Sequence, residues 1–179
     1  MRETSNVGPP SQAKHLAPTV LKIMSTTENR NRASDLTSHC EFDGADLILR
    51  LDTTFPADVT KISPIVAEVM ELAQEMDCTT GKEFEIETAL REALANAIVH
   101  GCKQNPSQKV QLCVGCDQSR GMLIIVRNPG KGFDPATIPN PTMGQNVYAT
   151  HGRGIFLINQ LMDEVHFEHG GTEIHMRKA

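Results

Sequence analysis

No stretch of this chain is apolar for long enough to cross a bilayer: its longest apolar runs, such as Met122 to Val126, fall far short of the ~20 residues a spanning helix needs. The polar N-terminus lacks the apolar stretch of a secretory signal, so the expectation is a cytoplasmic protein with no membrane partner. Positive charge is in short supply too. The 17 Lys and Arg are outnumbered by 22 Asp and Glu, the formal net charge is -5, and no basic stripe is present. With a pI near 5.8 this argues against nucleic-acid binding by phosphate neutralisation. Cysteine is sparse: Cys40, Cys78, Cys102, Cys113 and Cys116 are an odd number, scattered through a mid-sized chain, and predict reduced thiols rather than a disulfide framework. Cys113-Val-Gly-Cys116 has the spacing of half a zinc site, but it lies in an alternating segment, where positions three apart face opposite sides of a strand.

The 179 residues suffice for one domain with a sizeable core plus extra segments. Residues 1–40 are rich in Ser, Thr, Asn, Pro and Arg and cannot bury enough surface to offset their ordering entropy, so they are expected to be mostly disordered. Ordered structure is expected over 41–179. It opens with a strand over Asp46 to Asp52, ended by Thr53-Thr-Phe-Pro56. A first helix spans Asp58 to Met76, with Asp58 as N-cap and Pro64 an early blemish. A second runs from Glu83 to Gly101, which closes it through a left-handed turn. Strands follow over Lys109 to Cys116 and Met122 to Arg127. Then the periodicity stops: residues 129–152 carry repeated Pro and Gly, a loop long enough to be a functional lid. Helical spacing resumes near Ile155, and a hairpin of Glu164 to Glu168 and Thr172 to Arg177 ends the chain. This order segregates helices and strands into an α/β two-layer sandwich, a mixed, mainly antiparallel sheet covered on one face by three helices.

The second helix is the organising element. Ile86, Ala89, Leu90, Ala93, Leu94, Ala97 and Ile98 recur at three- and four-residue steps and define one buried stripe. Beside it Glu92, Asn96 and His100, at i, i+4 and i+8, stack a carboxylate, an amide and an imidazole along one edge. Taken alone, that edge is an ordinary solvated face.

Two further pieces change its meaning: the glycine loop Asn128-Pro-Gly130-Lys-Gly132-Phe-Asp-Pro, and His151-Gly152-Arg153-Gly154 at a helix start. In this order, with a lid between the last two, the three pieces resemble the nucleotide site of the GHKL (Bergerat-fold) ATPases within the histidine-kinase-like superfamily. They are most similar to the small bacterial anti-sigma factor serine kinases. The resemblance implies the Bergerat fold, ATP and Mg²⁺ as cofactors, a STAS-type anti-sigma factor antagonist and a sigma factor as partners, and no nucleic-acid partner. Homodimers occur in the family.

By the family pattern Asn96 is the Mg²⁺ ligand, and Glu92, one turn earlier, the general base that takes a proton from the attacking hydroxyl. His100 reads as packing or a helix-end charge. Gly130 and Gly132 let backbone approach a flat ring or a phosphate. Gly152 and Gly154 precede a helix whose free N–H groups suit a triphosphate, Arg153 between them either contacts phosphate or points to solvent, and Thr172 either matches a Thr near adenine or is an ordinary β-branched strand residue. In the family the glycine loop opens with Asp, whose carboxylate accepts a hydrogen bond from the adenine amino group; here the position is Asn128. A neutral bond contributes roughly 1 kcal/mol against about 1.5–3 for a charged one, so ATP should bind about tenfold more weakly, and the Asn128 NH₂ is able to meet a different base.

The implied activity is therefore phosphorylation of a serine on an anti-sigma factor antagonist, a serine/threonine protein kinase reaction that sets sigma-factor availability. The alternative is a weakly nucleotide-binding or non-catalytic partner switch, which Asn128 favours and the Glu92/Asn96 pair disfavours. The catalytic domain of a two-component histidine kinase would need a preceding helical segment with a phospho-acceptor His, and a chaperone or topoisomerase subunit would need further domains.

Overall fold

The computed structural model describes residues 49–117, 120–134 and 153–179. The expectation for residues 1–40, the start of the first strand and the lid from residue 135 to 152 lie outside these. Among the described residues five strands form one sheet in the order β1-β2-β3-β5-β4: β1 Leu49–Pro56, β2 Lys109–Asp117, β3 Gly121–Arg127, β4 Glu164–Glu168 and β5 Glu173–Lys178. The four ladders that join them are all antiparallel.

Alternation sets which face is covered. Leu51 and Phe55 of β1, Val110, Leu112, Val114 and Cys116 of β2, Met122, Ile124 and Val126 of β3, and Ile174 and Met176 of β5 enter one core. Three helices supply its other wall: α1 Ile62–Glu75, α2 Glu83–Ala95 and α3 Arg153–Leu161. All seven residues of the apolar stripe expected on α2 and its continuation are buried there. The opposite sheet face carries a short cluster of Cys113, Ile125 and Leu123. Beside it runs a polar row: Gln111 donates to Asp52 at 2.9 Å, and Arg127 donates to Glu173 at 2.6 Å. Burial acts to raise the Glu173 carboxyl, but the hydrogen bonds from Arg127 and His175 outweigh it and hold that group below the usual range.

Four local expectations are corrected. β1 does not stop at Thr53 but continues through Phe55 to Pro56, opposite Lys109. It is the edge strand, so a terminal proline removes no necessary ladder bond. Asp58 does cap, accepting from Thr60 N at 2.9 Å, but it caps one 3₁₀ turn, Val59–Lys61, ahead of α1. Pro64 falls in the first turn of α1, where a missing N–H costs little. Gly101 does not close the second helix in a left-handed turn. That conformation passes to Lys103 and Gln104, with φ of 53° and 54°, and the helix widens before it ends, Asn96–Gly101 forming a π-helical turn.

The fourth correction concerns the thiols. Cys78, in the turn after α1, and Cys116, on the core face of β2, form a disulfide with their Cα atoms 6.2 Å apart. The fold brings together residues separated by 38 positions, a proximity that no local spacing announces. Cys113 and Cys116 do face opposite sides of β2, which rules out the pair as a joint metal site. Cys102 is a free, buried cysteine, and burial pushes its thiol upward. Among the described residues no helix is long and apolar enough to cross a membrane.

Candidate nucleotide site

A cavity of about 870 Å³ opens between the C-terminal part of the second helix, the loop after β3 and the turn before β5. Its wall includes Asn96, Asn128, Gly130, Gly132 and Thr172, so the cavity gathers residues from two of the three sequence pieces. Apolar surface comes from Ala93, Val126, Phe133, Ile155, Phe167 and Ile174, as a planar ring would require.

The π-helical turn begins at Asn96 itself. Such widened turns occur mostly as single insertions in α-helices and frequently at functional sites. Glu92, one turn earlier and outside the cavity wall, is partly exposed and stands next to Asn96 against the start of α3. The contact is close: a Cβ on Gly154 would lie 2.6 Å from Glu92 Oε2, 3.3 Å from Asn96 Nδ2 and 3.5 Å from Asn96 Oδ1. Gly154 therefore does not precede the helix as expected but sits in its first turn, and its missing side chain makes room for the Glu92 carboxylate. Arg153 is the first residue of α3; Gly152 falls outside the described residues.

Asn128 is held by its own surroundings. Its backbone N–H and its Nδ2 both donate to the Thr172 carbonyl, each at 3.0 Å. Its Oδ1 accepts from Gly130 N at 3.0 Å. Gly101 lies against the same amide, since a Cβ there would meet Oδ1 at 2.3 Å and Cγ at 2.5 Å. A Cβ on Gly130 would strike the Gly101 carbonyl at 2.5 Å. The glycine loop then docks on the turn before β5: Phe133 N donates to Gly170 O at 2.9 Å, and Gly132, with φ of 68°, leaves a Cβ only 1.9 Å from that same carbonyl. Thr172 is half-buried and its hydroxyl donates to His169 O at 3.0 Å, which closes the turn.

Some lining residues carried no signal in the sequence. Gly101 reads there as a helix stop, whereas its function is to admit Asn128. His100, Lys103 and Lys131 also line the cavity and bring basic groups to it; the i+8 spacing of His100 from Glu92 and the place of Lys131 within the glycine loop hinted at two of them.

One helix carries the Glu92 carboxylate beside the Asn96 amide, and Asn128, locked to the glycine loop, lines the same cavity as Asn96. The sequence model of the histidine kinase-like ATPase domain matches residues 55–178. The chain belongs to the histidine kinase-like ATPase family. It is 28% identical over 138 residues to the serine-protein kinase RsbW of Bacillus subtilis, covering 72% of this chain and 84% of that one. It is 34% identical over 110 residues to an anti-sigma F factor of Bacillus cytotoxicus, covering 58% and 74%, and 29% identical over 122 residues to an anti-sigma F factor of Geobacillus stearothermophilus, covering 62% and 79%. The matched segment begins at the end of β1 and ends in β5, so the family relation spans β2 to β5, α1, α2 and α3, and the cavity.

Proposed function

We propose that the protein binds Mg–ATP in this cavity and transfers the γ-phosphoryl group to a serine of a STAS-type anti-sigma factor antagonist, acting in the cytoplasm as an anti-sigma factor whose hold on sigma depends on that reaction. The observation that carries the reading is the junction of Glu92, Asn96 and Gly154 beside a cavity whose wall also contains Asn128. The names of the relatives, a serine-protein kinase and anti-sigma F factors, support the choice of substrate and partner class.

The donor set suits Mg²⁺, which prefers oxygen ligands and keeps several waters: Asn96 offers an amide oxygen. When bound, the ion neutralises phosphate charge. Glu92 Oε2 takes the proton of the attacking serine hydroxyl as its oxygen bonds to the γ-phosphorus and the bond to the β–γ bridging oxygen breaks. Arg153 and the backbone N–H groups of the first turn of α3, with Gly152 before them, hold the triphosphate. Gly130, Gly132 and Thr172 shape the base subsite around Asn128.

The test is transfer of labelled phosphate from [γ-³²P]ATP to a STAS-type antagonist. Glu92→Ala should retain ATP binding and lose transfer by at least about 100-fold, the scale of a missing general base. Transfer at the unaltered rate would reject the assignment of Glu92.

A further inference from the structure

We infer that Glu168, Glu173 and His175 form a binding site for a divalent cation of the zinc class, on the sheet face away from the helices. Ile174 and Met176 enter the core, so Glu173 and His175, at the alternate positions of β5, project from the other face. The ladder sets Glu168 of β4 directly opposite Glu173. None of the three lines the nucleotide cavity.

Like charges directly opposite each other on paired strands repel, so a cation between these two carboxylates relieves a cost the sheet otherwise carries. Arg127, opposite Glu173 on the β3 side, donates to its Oε2 at 2.6 Å, and His169 Nδ1 stands 3.2 Å from that same oxygen. The second oxygen, Oε1, is turned instead to His175 Nε2, 2.6 Å away, and Glu168 Oε2 lies 3.7 Å from the same nitrogen. One ring nitrogen thus meets carboxylate oxygens from two residues, with all three atoms within 4.8 Å of one another.

A tetrahedral zinc ion about 2.0–2.2 Å from each ligand sets its ligand atoms roughly 3.3 Å apart, a spacing that the two measured separations bracket. Glu173 is 5% exposed and His175 23%, so these two are anchored, whereas Glu168 at 52% has the freedom to swing onto the ion. Arg127 orients the Glu173 carboxylate from outside, as the partners of ligating carboxylates do. The imidazole binds through the Nε2 lone pair, and any proton there leaves to solvent. An imidazole with two carboxylates suits zinc and its neighbours, while Mg²⁺ favours oxygen ligands and its own waters, so Mg²⁺ does not compete. Water completes the fourth position. The ion would join β4, the five-residue edge strand, to β5 beside the turn whose Thr172 carbonyl holds Asn128.

The experiment is calorimetric titration of the full chain with zinc chloride, after chelator treatment and in excess Mg²⁺, paired with thermal unfolding with and without zinc. The wild type is compared with Glu168→Gln and His175→Gln, which discounts any zinc taken up by cysteines or histidines elsewhere in the chain. Glu168→Gln alters an exposed side chain and should melt, without metal, at the wild-type temperature. The wild type should bind zinc and melt at a higher temperature in its presence. Each variant should bind at least about tenfold more weakly and lose that rise. Absence of a zinc-dependent rise in the wild type would overturn the inference, as would a rise kept in full by either variant. Should His175→Gln fail to fold, Glu168→Gln alone decides. The site lies outside the nucleotide cavity, so a negative result leaves the proposed function standing.

Discussion

Replacing Gly154 with Ala separates the site's chemistry from the fold's stability. The added methyl would stand 2.6 Å from Glu92 Oε2, roughly 1 Å short of the ~3.5 Å at which non-bonded atoms pack comfortably. Gly154 lies in the first turn of α3 and has no positive φ, so the backbone accepts alanine without strain. The atom it strikes is the far end of a partly exposed, flexible side chain, which gives way by rotation rather than by moving a helix. Gly to Ala in a helix contributes about 0.5–1 kcal/mol of stability, so the melting temperature should hold or rise. Glu92, however, is displaced by about 1 Å from the position that would meet the serine hydroxyl, and a misplacement of that size costs on the order of 100-fold in rate. The assay pairs thermal unfolding and ATP titration with single-turnover phosphoryl transfer to a STAS-type antagonist. Stability and ATP affinity near those of the wild type, with transfer down about 100-fold, is the predicted outcome. Unchanged transfer would show that Glu92 is not the base or that Gly154 does not position it.

Two other perturbations probe the frame around the site. Gly101→Ala sets a methyl 2.3 Å from an Asn128 amide that is pinned by backbone on both sides; it should cost about 1–3 kcal/mol by denaturant unfolding and weaken ATP binding, unlike Gly154→Ala. Cys78→Ser opens a disulfide that closes a span of 38 residues; the loop-closure relation predicts a loss of about 4 kcal/mol relative to the wild type, measured by denaturant unfolding.

The α2 stripe was readable because seven apolar residues at helical spacing have one physical solution, and the sheet because β2 and β5 alternate and β3 is a short apolar run bounded by a turn. The site was readable only through resemblance. Glu92 and Asn96 look like any polar helix edge until the first turn of α3 is laid against them, a contact made across some sixty residues of chain. The glycines were visible as glycines, but their reasons were not. Gly101 is dictated by the Asn128 side chain, Gly154 by Glu92, and Gly132 by the Gly170 carbonyl, each a long-range approach that local turn rules cannot anticipate. The Cys78–Cys116 bond failed for the same reason: cysteine count constrains pairing in small secreted frameworks, whereas here a helix turn and a strand meet through the tertiary fold. The extension of β1 through Phe55 followed from its pairing with β2, which overrode the terminating look of Thr-Thr-Phe-Pro.

Mg²⁺-dependent ATP binding at Asn96 is the central requirement of the proposed function. Calorimetric titration of the wild type and of Asn96→Ala with ATP, each with and without Mg²⁺, measures it. The prediction is binding by the wild type that strengthens at least tenfold with Mg²⁺, and an Asn96→Ala protein that folds normally and loses the Mg²⁺-dependent part. Binding that ignores Mg²⁺, or that Asn96→Ala retains in full, would contradict the site built here from Glu92, Asn96 and Gly154.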